Sequence, residues 1–85
     1  MEQYISPQAE PTRTPPSNPK AERSVLGAML RSREAAMKGV EGLWPGDFYD
    51  PANREIFDAM TALSSASRPV DMITVDEELS RRGKL

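Results

Sequence analysis

The stretch Pro45–Phe57, PGDFYDPANREIF, constrains this chain more than any other, because it fixes where a loop must become a helix. Pro45-Gly46 is turn chemistry. Asp50 before Pro51 is a helix-start signal: the carboxylate accepts a first-turn N–H, and proline at the first helical position lacks only a donor that would have had no partner. Phe48, Ile56 and Phe57 are apolar anchors on either side of the junction, with Trp44 and Tyr49 at its edge. The same device recurs at Asn18-Pro19, so two helices begin by one piece of chemistry.

From Asn18 the spacing predicts a first helix over 19–31, with Ala21, Val25, Leu26, Met29 and Leu30 on one face. Gly27 inside it either marks another backbone passing close by or is simply tolerated. Ser32 caps a second helix over 33–43, with Ala36, Met37, Val40 and Leu43 on one side. Gly39 and Gly42 cost that helix up to about 1 kcal/mol each, so it must hold its shape by packing on the first. The short link at Ser32 makes the two antiparallel neighbours or a sharp corner. The third helix starts at Pro51, carries Ile56, Phe57, Met60 and Leu63 as a buried stripe, and ends near 64–67, because Arg68 before Pro69 avoids helical backbone. Residues 70–73 read as an extended link that drops Val70 and Ile73 towards the core. Thr74 then caps a fourth helix, with Glu77 completing a capping box, and the helix runs to about Arg82 before Gly83 stops it. Asp76, Glu77 and Glu78 near its start and Arg81 and Arg82 near its end follow the helix dipole and need no metal. The fold class is all-α: a small orthogonal bundle of about four short helices. Its expected core is Val25, Leu26, Met29, Leu30, Val40, Phe48, Ile56, Phe57, Met60, Leu63, Ile73 and Leu79, and its helix caps are Asn18, Asp50 and Thr74.

Eighty-five residues, 38% hydrophobic and 28% charged, describe one domain with a thin core, which gains from packing against a partner. Residues 1–16 hold Pro7, Pro11, Pro15 and Pro16 without any helical or strand period, and read as a disordered Pro-rich tail; residues 17–85 form the helical domain. The absence of Cys and His excludes disulfides, thiol nucleophiles, histidine bases and Cys/His zinc sites. A formal charge of −2 gives no basic nucleic-acid footprint. No apolar run has the length of a membrane span and the N-terminus lacks a signal-peptide pattern, so a cytoplasmic chain is expected. The chain finishes two residues past Gly83, and we expect it to be the front part of something longer.

Asp47 and Asp50 flank two aromatics as an acid–base pair would, yet no histidine, nucleophile cluster or glycine cradle accompanies them. Gly83-Lys84 lacks the first glycine and the following hydroxyl of a phosphate loop. No catalytic, cofactor-binding or metal residue is therefore expected. Trp44 and Tyr49, each an apolar ring with a polar handle beside a loop, are the candidates for contact with a partner.

Three separated blocks, PSNPKAERSVLGAML over 16–30, DFYDPANREIF over 47–57 and RPVDMITV over 68–75, together resemble the N-terminal domain of DnaB-type replicative DNA helicases. The resemblance covers residues 16–85. It implies a small all-α domain joined in the full helicase to a RecA-like ATPase ring, where it forms a hexamer collar and helps to recruit primase and helicase loader. The helical hairpin that follows it in the family, the linker and the ATPase motifs lie outside this sequence. ATP and magnesium would accordingly serve that missing domain and not this chain. Self-association, other helicase subunits, primase and loader are the implied partners. Two positions depart from the family: Arg31-Ser32-Arg33 replaces further leucines and an aspartate, and Asn53 stands where a histidine often precedes the equivalent of Arg54. Both read as surface or helix start. Two rival readings are a helix-turn-helix DNA binder, opposed by Glu55 and Asp58 beside Arg54, and a free-standing adaptor that competes for the helicase's partners.

Overall fold

The structure, a computed structural model, describes residues 18–84, so the reading of 1–16 as a tail lies outside them. Four helices follow one another: α1 (Pro19–Arg31), α2 (Arg33–Gly42), α3 (Pro51–Ser65) and α4 (Met72–Arg81), with a single 3₁₀ turn, Pro45–Asp47, before α3. No strand occurs among the described residues.

The two Asx-Pro starts work as their chemistry requires. Asn18 Oδ1 accepts the N–H of Ala21 at 3.1 Å, and Asp50 Oδ1 accepts those of Ala52 and Asn53 at 2.9 and 3.1 Å. Ser32 is the whole connection between α1 and α2. Its N–H closes α1 on the Ala28 carbonyl at 3.0 Å, while its hydroxyl caps α2 by accepting from Ala35 at 3.2 Å. Helix α2 stops at Gly42, one residue short of the sequence reading, because Leu43 is already extended.

The beginning of α4 corrects the sequence reading. Asp71, not Thr74, is its N-cap: Asp71 Oδ1 accepts from the Thr74 N–H at 2.9 Å, and the Thr74 hydroxyl accepts from the Asp71 N–H at 3.0 Å. The two residues satisfy each other as a capping box one register earlier than Thr74–Glu77. Met72 and Ile73 are thus helical rather than extended, and Ile73 points outward, 70% exposed, instead of entering the core. Val25 is the other correction, 43% exposed. One step from Leu26 turns about 100° around a helix, which carries Val25 to the edge of the buried face.

The core forms where the four helices meet. Leu26 and Met29 of α1, Ala36 of α2, Phe48, Phe57, Ala59, Met60 and Leu63 around α3, and Val75 and Leu79 of α4 are buried. Leu30, Val40, Leu43, Ile56 and Val70 pack half-buried against them. Phe48 and Phe57 stack with ring centroids 4.8 Å apart and planes inclined by 29°. The close approach of α1 and α2 occurs at Gly39, where a Cβ would lie 2.6 Å from both Sδ and Cε of Met29. That buried thioether occupies the space a side chain would need, so the glycine that weakens α2 also seats it on α1. At Gly27 a Cβ would meet only the Arg31 guanidinium of its own helix, at 3.2 Å, and no other backbone passes close by.

Helices α3 and α4 end in the same motif. Gly83, with φ +73°, donates to Ser80 at 3.0 Å while Lys84 donates to Leu79 at 2.8 Å. Ser67, with φ +59°, donates to Ser64 at 3.0 Å while Arg68 donates to Leu63 at 2.9 Å. Left-handed backbone costs a residue with a Cβ about 1–2 kcal/mol, part of which glycine returns as lost chain entropy. Ser67→Gly is therefore expected to raise stability by about 0.5–1 kcal/mol in urea unfolding.

Candidate functional site

The loop between α2 and α3 presents two large aromatic rings to solvent. Trp44 is 75% exposed and Tyr49 60% exposed, one on each side of the 3₁₀ turn. Their backbones are nevertheless fixed. The Trp44 N–H donates to Asp47 Oδ2 at 2.7 Å, the Tyr49 N–H donates to Glu22 Oε2 at 2.7 Å, and between them the ring of Phe48 is buried. Arg54 Nε closes the loop by donating to the Phe48 carbonyl at 3.1 Å. The carboxylate of Asp47 thus serves the turn and that of Asp50 serves the helix start.

Glu22 is the hub that holds this edge to α1, and sequence reading missed it. Beyond Tyr49 it accepts the Asp50 N–H at 3.2 Å and Asn53 Nδ2 at 3.0 Å, both through Oε1. Asn53, read as surface or helix start, lies in the first turn of α3 but is buried, not at the surface, and the same amide also reaches the Pro19 carbonyl at 3.4 Å. The hydrogen bond from Asn53, followed by that from the Tyr49 backbone, holds the Glu22 carboxyl below its ordinary value.

A buried carboxylate, Glu78, lies on α4. Glu78 receives Arg81 Nε at 3.1 Å, Arg81 Nη2 at 2.6 Å and Arg82 Nε at 2.8 Å. The bonds from Arg81 and then Arg82 lower its pKa from 4.5 to about 2. Because both carboxyls are depressed in the fold, the stability they contribute is present above the ordinary carboxylate value and is lost as pH falls through the folded value. Urea midpoints are expected to decline progressively from pH 4.5 towards about 2, and Glu78→Gln should flatten that decline. No group of three or more Asp and Glu residues suited to a metal ion occurs among the described residues, and none of their helices is long and apolar enough to cross a membrane.

An open groove of about 590 Å³ runs between the α1–α2 corner and the segment that joins α3 to α4. Leu30, Ala36, Val70 and Asp71 are its less exposed lining, and Arg31, Arg33 and Arg68 stand exposed along it.

The family described as DnaB-like helicase N terminal domain matches residues 14–85. Replicative DNA helicase DnaB of Mycobacterium leprae is 43% identical over 81 residues, which cover 95% of this chain and 13% of that protein. Replicative DNA helicase DnaC of Bacillus subtilis is 41% identical over 68 residues, covering 80% of this chain and 15% of that protein. The chain thus spans less than a fifth of these relatives. The crystal structure of the N-terminal domain of DnaB helicase from Mycobacterium tuberculosis superposes with a TM-score of 0.77 at 47% identity, over 85% of this chain and 50% of that one.

Proposed function

Since this chain belongs to the DnaB-like helicase N terminal domain family, we propose that it acts as a protein-interaction and oligomerisation domain of a replicative DNA helicase. In this reading it contributes to a collar of helicase subunits and offers a surface to primase and to a helicase loader. In this reading ATP hydrolysis and unwinding belong to parts of a helicase other than this domain.

The observation that supports this reading is the aromatic edge. Trp44 and Tyr49 hold their rings in solvent while their backbones are tied by charge-assisted hydrogen bonds of 2.7 Å. Rings presented from a fixed backbone have little conformational freedom to lose on association, and Trp and Tyr are enriched among the residues that dominate interfaces. The thin core points the same way, because a small domain gains stability from what it binds.

Light scattering of the chain alone and with a primase tests the proposal. Self-association and a mixed complex are expected, and Trp44→Ala combined with Tyr49→Ala should weaken the primase complex about tenfold or more. A monomer that ignores primase overturns it.

A further inference from the structure

We propose that α4 has two alternative starts, one capped by Asp71 and one by Thr74, and that the chain exchanges between them, moving Met72 and Ile73 from the helix into the α3–α4 link.

Two capping boxes overlap on one residue. In the start described above, Thr74 serves the residues before it: its hydroxyl accepts from the Asp71 N–H at 3.0 Å and donates to the Pro69 carbonyl at 2.9 Å, while its own N–H donates to Asp71 Oδ1 at 2.9 Å. Glu77 stands at the same spacing on the other side of Thr74. There the Thr74 hydroxyl accepts the Glu77 N–H, and the Glu77 carboxylate accepts the Thr74 N–H. Each of these N–H groups has one proton to give, so the two starts exclude each other.

The local chemistry of α4 favours the later start. Counted from Asp71, the first turn contains no acidic residue; counted from Thr74, it contains Asp76 and Glu77, beside the positive end of the helix. The extra turn of the earlier start also buries little, since Met72 and Ile73 are 64% and 70% exposed. Val75, Glu78 and Leu79, the buried residues of α4, all lie beyond Thr74, so a start there leaves the core in place. The earlier start is held by the Asp71 cap and by the backbone bonds of one turn, beginning with the Val75 N–H on the Asp71 carbonyl at 2.9 Å. Giving these up releases the backbone of Met72 and Ile73, and the second box replaces the first. Glu77 is free to make that move, because its pair with Arg68 is 3.6 Å long and exposed on both sides. Opposed contributions of similar kind leave both states populated.

The exchange governs how two large apolar side chains are presented. In one state Met72 and Ile73 stand on a helix; in the other they extend the Arg68–Asp71 link that walls the groove. This device is independent of the partners named above.

Relaxation-dispersion NMR of the 85-residue chain tests it, with Cα chemical shifts reporting where the helix begins. Exchange on the microsecond-to-millisecond timescale is expected from Met72 to Asp76 and not from Glu78 to Arg81. Asp71→Ala removes only the earlier cap, so Met72 and Ile73 should lose their helical shifts while Val75 and the residues after it keep them. Thr74→Val removes the hydroxyl that the later start requires and leaves the Asp71 carboxylate in place, so Met72 and Ile73 should stay helical and the dispersion should be lost. With both substitutions the helical shifts should be lost through Asp76, whereas simple fraying would not respond to the Thr74 hydroxyl. Native-like shifts at Phe57 and Leu63 identify the variants as folded, and the measurement on the native chain stands without them. Flat dispersion in the native chain, helical Met72 and Ile73 in Asp71→Ala, or the same helix start in Asp71→Ala with and without the Thr74 hydroxyl overturns the proposal.

Discussion

Phe57→Ala is expected to cost about 3–5 kcal/mol, enough to leave much of this small domain unfolded in water at 25 °C. The ring is 1% exposed, stacks on Phe48 and sits among Met60 and Leu63 of its own helix. Its removal opens a cavity between the aromatic loop and α3, and Phe48 loses the partner that carries the loop into the core. Far-UV circular dichroism across a urea series measures the loss. Trp44→Ala, at a ring 75% exposed on the same loop, provides the contrast and should lie within about 0.5 kcal/mol of the native chain. A small effect at Phe57 would mean that the loop does not share the core of the helices.

Asn53 carries the second large effect. Asn53→Ala removes the amide that donates to the Glu22 carboxylate and to the Pro19 carbonyl, at an expected cost of about 2 kcal/mol. Asn53→Asp should be worse near neutral pH, because it replaces a donor by a second carboxylate 3 Å from the first, and like charges so close disfavour joint ionisation. Its pH dependence should also run opposite to that of the native chain. The native Glu22 is depressed and loses its contribution in acid, whereas the paired carboxylates in Asn53→Asp have a raised folded pKa, so that variant gains stability as pH falls through it. Urea midpoints of both chains measured at neutral and mildly acidic pH separate the two behaviours. Parallel pH profiles would remove Glu22 from its assigned role.

These two residues also mark how far the sequence could be read. Phe57 was legible because its neighbours at helical spacing and the Asp50-Pro51 start are local signals. Asn18-Pro19 and the stop at Gly83 were legible for the same reason, since a cap is a contact between residues three or four apart. Asn53 was not, because the group that makes its burial possible lies 31 residues earlier in the chain. Glu78 reads as one more acid near the positive end of a helix; its pairing with Arg81 and Arg82, three and four residues on, is local, and only its burial depends on the fold. The start of α4 was misplaced for a subtler reason. Thr74 and Glu77 have the spacing of a capping box, but so do Asp71 and Thr74, and only the backbone decides between two overlapping local motifs. That one-turn difference moved Ile73 from the core to the surface. At the candidate site, the aromatic character of Trp44 and Tyr49 was readable, whereas the Glu22 carboxylate that fixes the Tyr49 backbone and the groove beside the α1–α2 corner depend on tertiary approach.

The bonds gathered on Glu22 bear on the order of events in folding. They join α1 to the beginning of α3 across the whole of α2 and the 3₁₀ turn, so they require closure of a loop of 31 residues, whereas the α1–α2 pair needs only the single residue Ser32. Closure of the longer loop loses more chain entropy before any contact rewards it, which places the Glu22 bonds late on the folding path. Substitutions at Asn53 should therefore accelerate unfolding while leaving the refolding rate almost unchanged, and the aromatic edge should be among the first parts of the domain to come loose.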